Sequence, residues 1–273
     1  MSNQFKSEFF ETLSIIKDYL PDIVIAGGWA PLIYYHYLLS DKTRVPLRTV
    51  DIDIVVPEKL RKRKSKTVDT LLTEAGFKTR FKSRHQPPVI SYEGKIGDFD
   101  AEIEFLTHRR SARDGQVAVV QDGLHAQMLR FINILLENNI TLDIDDYKMS
   151  EGILLQVRVP TLGAFIFQKG LTFPRRTRPI KKAKDLYYIF DILANCENLH
   201  QQILEEIVSF NDVYPASWFK QFKRYLSLNF SDVDKDGVLM IQSQRPENAY
   251  PAMNEQQFQQ YVFGIFQEFI ANI

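Results

Sequence analysis

Two short stretches decide the fold of this protein, VIAGGWA at residues 24–30 and TVDIDIVV at residues 49–56. The first is an apolar strand that ends in two glycines, whose backbone amides can approach a phosphate closely because glycine has no side chain. In the second, Asp51 and Asp53 are separated by one residue, so both project from the same face of a strand. Together the two stretches predict a site for a metal ion and a triphosphate.

Helices and strands alternate around these two stretches. Apolar residues spaced by three and four predict a helix over residues 5–20, and a second helix follows the glycines at residues 30–39. A polar start, an apolar end and the stop signal of Gly76 predict a third helix over residues 58–75. Further along, the pattern predicts a helix at residues 125–137 and strands at residues 77–81, 89–92, 98–106, 116–120 and 153–159.

The pattern changes at Pro160, because every clear periodicity after it is helical. Helices are predicted at residues 162–169, 181–193, 201–210, 216–226 and 255–270. We therefore predict an α+β fold in which a mixed sheet with flanking helices occupies residues 1–159 and a helical domain occupies residues 160–273. A single compact unit with a helical half is the alternative organisation.

A second acidic strand is predicted at residues 98–106, where acidic and apolar residues alternate. Such a strand buries its apolar residues and directs Asp100, Glu102 and Glu104 to the opposite face. Three carboxylates from two neighbouring strands suit one or two Mg²⁺ ions, which prefer oxygen ligands. For Asp100 or Glu102 alone, the solvated face of an edge strand is the simpler interpretation.

The glycine turn, the Asp51-Ile52-Asp53 strand and the later acid in Glu104-Phe105-Leu106-Thr107 resemble the nucleotidyltransferase fold of the DNA polymerase β superfamily. The resemblance is closest to a poorly characterised bacterial branch that is related to the nucleotidyltransferase toxins of abortive-infection systems. Residues 123–129 and residues 169–186 also look like that branch.

This resemblance implies a Mg²⁺-dependent (or Mn²⁺-dependent) transfer of a nucleoside monophosphate from an NTP to a hydroxyl, with release of pyrophosphate. It implies that Asp51 and Asp53 bind the metal and that Glu104 is the third catalytic carboxylate and metal ligand. The backbone amides of Gly27 and Gly28 would then hold the triphosphate.

Two positions depart from the pattern of the superfamily. Trp29 stands where the family has a serine whose hydroxyl contacts phosphate, and Glu104 stands where aspartate is more usual. Glu102 is the alternative third acid. The departures leave open a second hypothesis, that the chain is a nucleotide-binding or regulatory module without turnover.

Basic residues occur in two groups. The resemblance singles out Lys169, Arg176 and Lys184 as ligands of the triphosphate, with Asp185 either orienting Lys184 or lying on a helix surface. The densest basic run, residues 59–66, lies early on a predicted helix, where positive charge opposes the helix dipole. Contact with the backbone of an RNA acceptor is one interpretation of this run, and a solvated helix face is the other.

Composition excludes several classes of protein. The 273 residues carry 34 Lys and Arg against 34 Asp and Glu, so net charge indicates neither a nucleic-acid binder nor a membrane-surface protein. No apolar run is long enough to span a bilayer, and the single cysteine, Cys196, can form no internal disulfide. We expect a cytoplasmic protein whose acceptor is either RNA, such as tRNA, or another protein. If its role is toxin-like, we also expect a partner that neutralises it.

A calcium loop is suggested by residues 232–237, which match the first six positions of an EF-hand. The twelfth position, which should be a bidentate glutamate, is Ser243. We therefore predict a turn between helices.

Overall fold

The computed structural model describes residues 3–44, 46–47, 49–81, 90–108, 116–149 and 152–273, with the backbone alone for residues 3–5. The chain divides into two compact units, Met1–Thr161 and Leu162–Ile273. The first unit combines a mixed sheet with helices, and the second is helical. This architecture confirms the predicted α+β fold class. No helix within the described ranges is long and apolar enough to cross a membrane.

The described part of the first unit contains nine strands and four α-helices. The strands are β1 (Val24–Ile25), β2 (Asp51–Val55), β3 (Lys78–Phe81), β4 (Ile90–Ile96), β5 (Phe99–His108), β6 (Val117–Gln121), β7 (Leu124–Leu129), β8 (Asn139–Lys148) and β9 (Leu154–Pro160). The helices are α1 (Asn3–Ile15), α2 (Trp29–Ile33), α3 (Val68–Glu74) and α4 (Asn133–Glu137). Val89, predicted to begin a strand, lies outside the described residues.

Seven of these strands form one sheet with β5 near its centre. The order is β1-β2-β5-β4-β3, and β7 pairs with the far end of β5 and with β6. The pairs β2–β5 and β5–β7 are parallel, and the others are antiparallel. The strands β2 and β5 are therefore neighbours, although β3 and β4 lie between them in the chain.

One face of the sheet at β2 and β5 forms part of the core. Ile52 and Ile54 of β2 and Ile103 and Phe105 of β5 are each 1% exposed or less. Successive residues of a strand point to opposite faces, so the acidic residues between these positions share the other face. The alternation in the sequence thus correctly predicts which face each residue takes.

The glycine turn is anchored by an aromatic stack. Trp29 begins α2 directly after Gly28, is fully buried, and stacks on Phe9 of α1 with ring centroids 3.6 Å apart and planes 3° from parallel. Its edge meets Phe99 of β5, with centroids 6.1 Å apart. Trp29 is therefore a core residue that ties the turn to α1 and to the sheet.

The predicted helix at residues 125–137 is wrong over its first half. Leu124–Leu129 is the strand β7, which pairs with both β5 and β6, and the helix α4 is confined to Asn133–Glu137. Phe131, with φ of 62°, lies between them in the left-handed region and breaks any continuous helix. Pairing on both sides of β7 outweighs the helical spacing of its apolar residues.

The predicted helix at residues 58–75 is also too long, because α3 starts only at Val68. Thr67 caps it by accepting a hydrogen bond from the Thr70 amide at 3.1 Å. The hydroxyl of Tyr19 holds the preceding residues in a loop, since it donates to the Lys66 carbonyl at 2.7 Å and accepts from the Arg63 amide at 3.1 Å. The basic run is therefore a fixed loop.

A second, two-stranded antiparallel sheet is formed by β8 and β9. The strand β9 was predicted, but β8 was not. Its signal is the alternation of Ile140, Leu142 and Ile144 with polar residues, and Ile144 is fully buried. Tyr34 connects this sheet to the residues after the glycine turn by donating to the Pro160 carbonyl at 2.8 Å.

The described second unit is built from six α-helices around an aromatic core. They are α5 (Leu162–Thr172), α6 (Pro179–Asn195), α7 (His200–Val213), α8 (Ala216–Asn229), α9 (Asp236–Ser243) and α10 (Glu255–Asn272). Five of the six were predicted, and α9 was not. The turn predicted at residues 232–237 lies between α8 and the start of α9, and Cys196 is buried as a structural thiol.

Candidate functional site

Four carboxylates lie side by side on two strands of the main sheet. In the parallel pairing of β2 with β5, Asp51 is in register with Glu102, and Asp53 is in register with Glu104. Residues in register on neighbouring strands project from the same face, about 4.8 Å apart. We call these four residues the carboxylate ladder. All four are half-buried, so their charges are partly shielded from water.

The glycine turn closes one end of the carboxylate ladder. Ala26 donates its amide to the Asp53 carbonyl at 2.8 Å, which brings the turn alongside β2. Gly27 follows with φ of +60°, and a Cβ built on it would lie 1.9 Å from Asp53 Oδ2. Only glycine fits here, both because the backbone is left-handed and because the carboxylate occupies the space of a side chain.

The second glycine of the turn leads into a short helix. Gly28 has φ of −75° and ψ of −10° and lies directly before α2, a helix of five residues. The indole of Trp29 is buried in the core. It has no hydroxyl with which to contact a phosphate. The polar groups that the turn can offer a ligand are therefore backbone groups.

The same face of the sheet continues onto β4 and β3. Ser91 is in register with Glu104, and Glu93 with Glu102. Arg80 of β3 donates to Glu93 Oε1 at 2.6 Å, so the acidic face has a cationic border. Ser91 is fully buried, and its Oγ has no hydrogen-bond partner among the described residues. A free hydroxyl thus lies next to Glu104.

Sequence analysis did not find Ser91, because its position follows only from the register of β4 against β5. No local pattern around it indicates a site. Glu93 was missed for the same reason. Both could have been found by pairing residues 91–96 with residues 99–104 as an antiparallel hairpin, for which Gly97 is the turn signal in the sequence.

The carboxylate ladder suits a divalent cation in its chemistry. Its ligand atoms are carboxylate oxygens, which Mg²⁺ and Mn²⁺ prefer, and the space that Gly27 leaves at Asp53 forms a cradle. In the described parts of the chain, however, no three Asp, Glu, His or Cys side chains converge closely enough to form a finished metal cage. To complete a metal site, the side chains of the carboxylate ladder would have to rotate while the strand register stays fixed.

Two of the three basic residues singled out in the second unit bind a buried acid. Lys169 Nζ donates to Asp185 Oδ1 at 2.5 Å, and Arg176 Nε donates to Asp185 Oδ2 at 2.7 Å. Lys169 and Asp185 are 7% and 3% exposed. Burial alone would raise the pKa of Asp185, but the charges of Lys169 and Arg176 outweigh it and lower the pKa below its usual range.

Asp185 was predicted either to orient Lys184 or to lie on a helix surface. The surface interpretation is wrong, since Asp185 is buried and forms ion pairs with Lys169 and Arg176. Lys184 is the neighbour of Asp185 on α6. The phosphate contacts predicted for Lys169, Arg176 and Lys184 stay predictions. Lys169 and Arg176 already bind the same carboxylate, that of Asp185.

The basic run at residues 59–66 is divided by its contacts. Arg63 binds Asp22 through Nε at 2.5 Å and Nη2 at 2.8 Å, Lys64 binds Asp18 at 2.7 Å, and Lys66 binds Glu74 at 2.5 Å. These three residues lie at the end of the run. Its first half, from Lys59 to Lys62, makes no ion pair in the described part of the chain.

The comparison with protein families supports the resemblance to nucleotidyltransferases, and it does not test the resemblance to the branch related to abortive-infection toxins. The model of a family described as nucleotidyltransferase matches residues 18–209, which is more than half of the chain. The matched range includes the glycine turn, the carboxylate ladder and the buried Asp185 with its two partners. No curated protein and no solved structure matches the chain significantly.

Proposed function

Because this chain belongs to a nucleotidyltransferase family, we propose that it moves a nucleoside monophosphate from an NTP to a hydroxyl of an acceptor. The observation that supports the proposal is the pairing of the carboxylate ladder with the glycine turn, in which Gly27 leaves room for the Asp53 carboxylate. Family membership suggests nucleotide transfer in general, and the acceptor, the metal and the residue roles below are proposals.

In the proposed reaction the acceptor oxygen attacks the α-phosphorus of the NTP. A P–O bond forms to the acceptor while the bond from the α-phosphorus to the bridging oxygen breaks, and pyrophosphate leaves with that electron pair. The acceptor proton passes to a carboxylate. Glu104 is the proposed base, with Glu102 as the alternative, because both lie on β5 within the carboxylate ladder.

The proposed cofactor is one or two Mg²⁺ or Mn²⁺ ions, held by Asp51, Asp53 and Glu104. When bound, such ions lower the pKa of an attacking hydroxyl and offset the charge of a leaving pyrophosphate. The backbone amides at Gly27 and Gly28 would orient the triphosphate. Phosphate contacts by Lys169, Arg176 and Lys184 are proposed on the sequence resemblance alone.

Calorimetry and a labelling screen test the proposal. The purified protein should bind at least one NTP when Mg²⁺ or Mn²⁺ is present, and labelled NTPs incubated with protein and cell extract should give a labelled RNA or protein with release of pyrophosphate. Asp51→Ala and Asp53→Ala should abolish labelling. Asp100→Ala, an exposed acid on β5 in register with Lys95, is the matched control and should keep it. Absence of NTP binding with either metal would contradict the proposal.

A nucleotide-binding or regulatory module without turnover is the second candidate. It is favoured by Trp29, which is buried against Phe9 and offers no hydroxyl to a phosphate. This candidate predicts that the protein binds NTP but releases no pyrophosphate from it, whichever acceptor the extract supplies. Loss of a measured transferase activity in Asp53→Ala would eliminate it.

The resemblance to abortive-infection toxins motivates a narrower proposal, in which the protein acts in the bacterial cytoplasm and a partner neutralises it. Expression should then arrest growth, and Asp53→Ala should restore it. Harmless expression of the wild-type chain at high level would count against the toxin-like role while leaving the transferase itself intact.

A further inference from the structure

A cavity of about 630 Å³ opens in the first unit beyond the end of β2. Its lining contains five cationic side chains and one acid. The residues are Asp22, Pro57, Lys59, Leu60, Arg61, Lys62, Arg63, Leu136 and Arg158. Because the whole chain has no net charge, this cavity is a local concentration of positive charge.

Two of the five cations are fixed as walls of the cavity. Arg63 forms a two-bond contact with Asp22, the acid of the lining. Arg158 donates through Nε to Asn139 Oδ1 at 2.8 Å and through Nη1 to the Pro21 carbonyl at 2.7 Å. Asp22 offsets the charge of Arg63. The other four of the five cations have no acidic residue in the described lining to offset their charge.

The remaining three cations are available to a ligand. Lys59, Arg61 and Lys62 make no ion pair within the described ranges. The loop that carries them is nonetheless fixed, because Leu60 is 3% exposed and its amide donates to the Val120 carbonyl at 2.8 Å. A fixed loop presents charge to a ligand at a lower entropic cost than a flexible one.

The lysines of the basic run are divided according to this cavity. Lys59 and Lys62 line it, whereas Lys64 and Lys66 do not and are paired with Asp18 and Glu74. A merely solvated basic surface gives no reason for such a division. The cavity also lies apart from the ladder, since Pro57 is four residues beyond Asp53, or about 13 Å along an extended chain.

The chemistry of the lining indicates a ligand that is bound through its phosphate groups and not through a nucleobase. Among the residues that the structure describes, no aromatic side chain lines the cavity to stack on a nucleobase. Arginine and lysine beside an apolar floor instead suit the oxygens of a phosphodiester backbone, which are contacted without regard to sequence. A mononucleotide site would need groups that orient the base.

We infer that this cavity binds the phosphodiester backbone of an RNA acceptor. That the cavity binds RNA rests on the cavity alone. That this RNA is the acceptor rests on the proposed nucleotidyl transfer. It makes the acceptor a polynucleotide held partly by Lys59, Arg61 and Lys62, at a place separate from the carboxylate ladder.

Fluorescence anisotropy with a labelled single-stranded RNA of mixed sequence tests the inference on the full chain. The double variant Lys59→Gln/Lys62→Gln should weaken RNA binding at least fivefold at 100 mM salt. It should also reduce the slope of log K against log salt by about 1.4, because each lost phosphate contact contributes about 0.7 for single strands. Arg61→Gln should add a further loss.

Lys64→Gln/Lys66→Gln is the matched control, with the same chemical change in the same run, and it should bind RNA within twofold of wild type. Equal weakening in both doubles, or no RNA binding by wild type at 50 mM salt, would overturn the inference. So would tight binding of inorganic triphosphate at the cavity without RNA binding. Thermal unfolding shows whether each variant is folded.

NTP binding separates this inference from the proposed function. Calorimetry with Mg²⁺ and NTP should give the same affinity in wild type and in Lys59→Gln/Lys62→Gln. If no variant binds NTP but RNA binding follows the pattern above, the proposed function fails and the RNA cavity stands. If RNA is bound and transfer occurs only to protein in the extract, RNA as acceptor is excluded.

Discussion

Gly27 and Asp53 share one small space, because the carboxylate of Asp53 fills the position that a side chain at residue 27 would take. A Cβ there would lie 1.9 Å from Oδ2 and 2.8 Å from Cγ of Asp53. The two residues belong to different stretches of the chain, and their fit joins the glycine turn to the carboxylate ladder.

Gly27→Ala should therefore displace the Asp53 carboxylate. We expect a loss of stability of about 1–2 kcal/mol from the left-handed backbone alone, and at least a tenfold weaker binding of NTP with Mg²⁺. Gly76→Ala is the matched control, because Gly76 has φ of +89° and nothing within 4 Å of a new Cβ. Urea unfolding and calorimetry should show a stability loss in both variants but an affinity loss only in Gly27→Ala.

Mg²⁺ should stabilise the wild-type protein against unfolding, since a ligand that binds only the folded state raises its free energy of unfolding. The gain is about 2.7 kcal/mol at 100 times the dissociation constant. Asp53→Asn should lose this gain, while Asp100→Asn should keep it. Thermal unfolding with and without Mg²⁺ measures both, and an equal response of the two variants would argue against metal binding at the carboxylate ladder.

Asp185→Asn should strongly destabilise the second unit, because it leaves Lys169 buried with only a neutral partner. Breaking a buried pair from one side costs about 3–5 kcal/mol. Arg176→Gln should cost less, since the Arg176 side chain is 36% exposed. Urea unfolding checks the order, and a larger loss for Arg176→Gln than for Asp185→Asn would contradict this account of the cluster.

The pKa of Asp185 also predicts how stability depends on acid. Because its folded pKa is lowered from the ordinary 3.8, the carboxylate stabilises the fold fully above pH 3.8. That contribution is lost as the pH falls from 3.8 through the lower folded value. Unfolding free energies measured below pH 4 should fall less steeply in Asp185→Asn than in wild type.

His36 predicts a second pH dependence, nearer to neutral. Burial lowers its pKa from the ordinary 6.5, and the hydrogen bond to the Arg44 carbonyl at 3.1 Å only partly opposes this. Stability should be full above pH 6.5 and fall as the pH drops below it, by up to about 1.4 kcal/mol per pH unit. His36→Gln should flatten the curve between pH 7.5 and 5.5, and an unchanged slope would show that other groups dominate.

The face on which each site residue lies was predictable, because alternation along Asp51–Val55 and Phe99–His108 is a local signal. The expectation that the two acidic strands are neighbours is confirmed by their register. The close fit of Gly27 to Asp53 could not be predicted, since it depends on how β1 and β2 meet. Ser91 was missed because its place beside Glu104 depends on the register of β4 against β5.

The errors also follow from contacts between distant residues. At Leu124–Leu129 the apolar spacing fits a helix, but pairing with β5 and β6 fixes a strand. In the basic run, the Tyr19 hydroxyl and the Val120 carbonyl hold backbone groups that a helix would need. Propensity is a weak local preference, and such contacts override it.

The parallel pairing of β2 with β5 has a consequence for the order of folding. Asp53 and Glu104 are 51 positions apart, and the segment that contains β3 and β4 is part of the loop that closes when β2 pairs with β5. Contacts between distant residues form late, since the entropy of closing the loop must be overcome first. A growing chain that has emerged only as far as Val56 carries two of the acids without their partners. A metal ion held by acids of both strands would therefore find its full set of ligands only after β2 and β5 have paired.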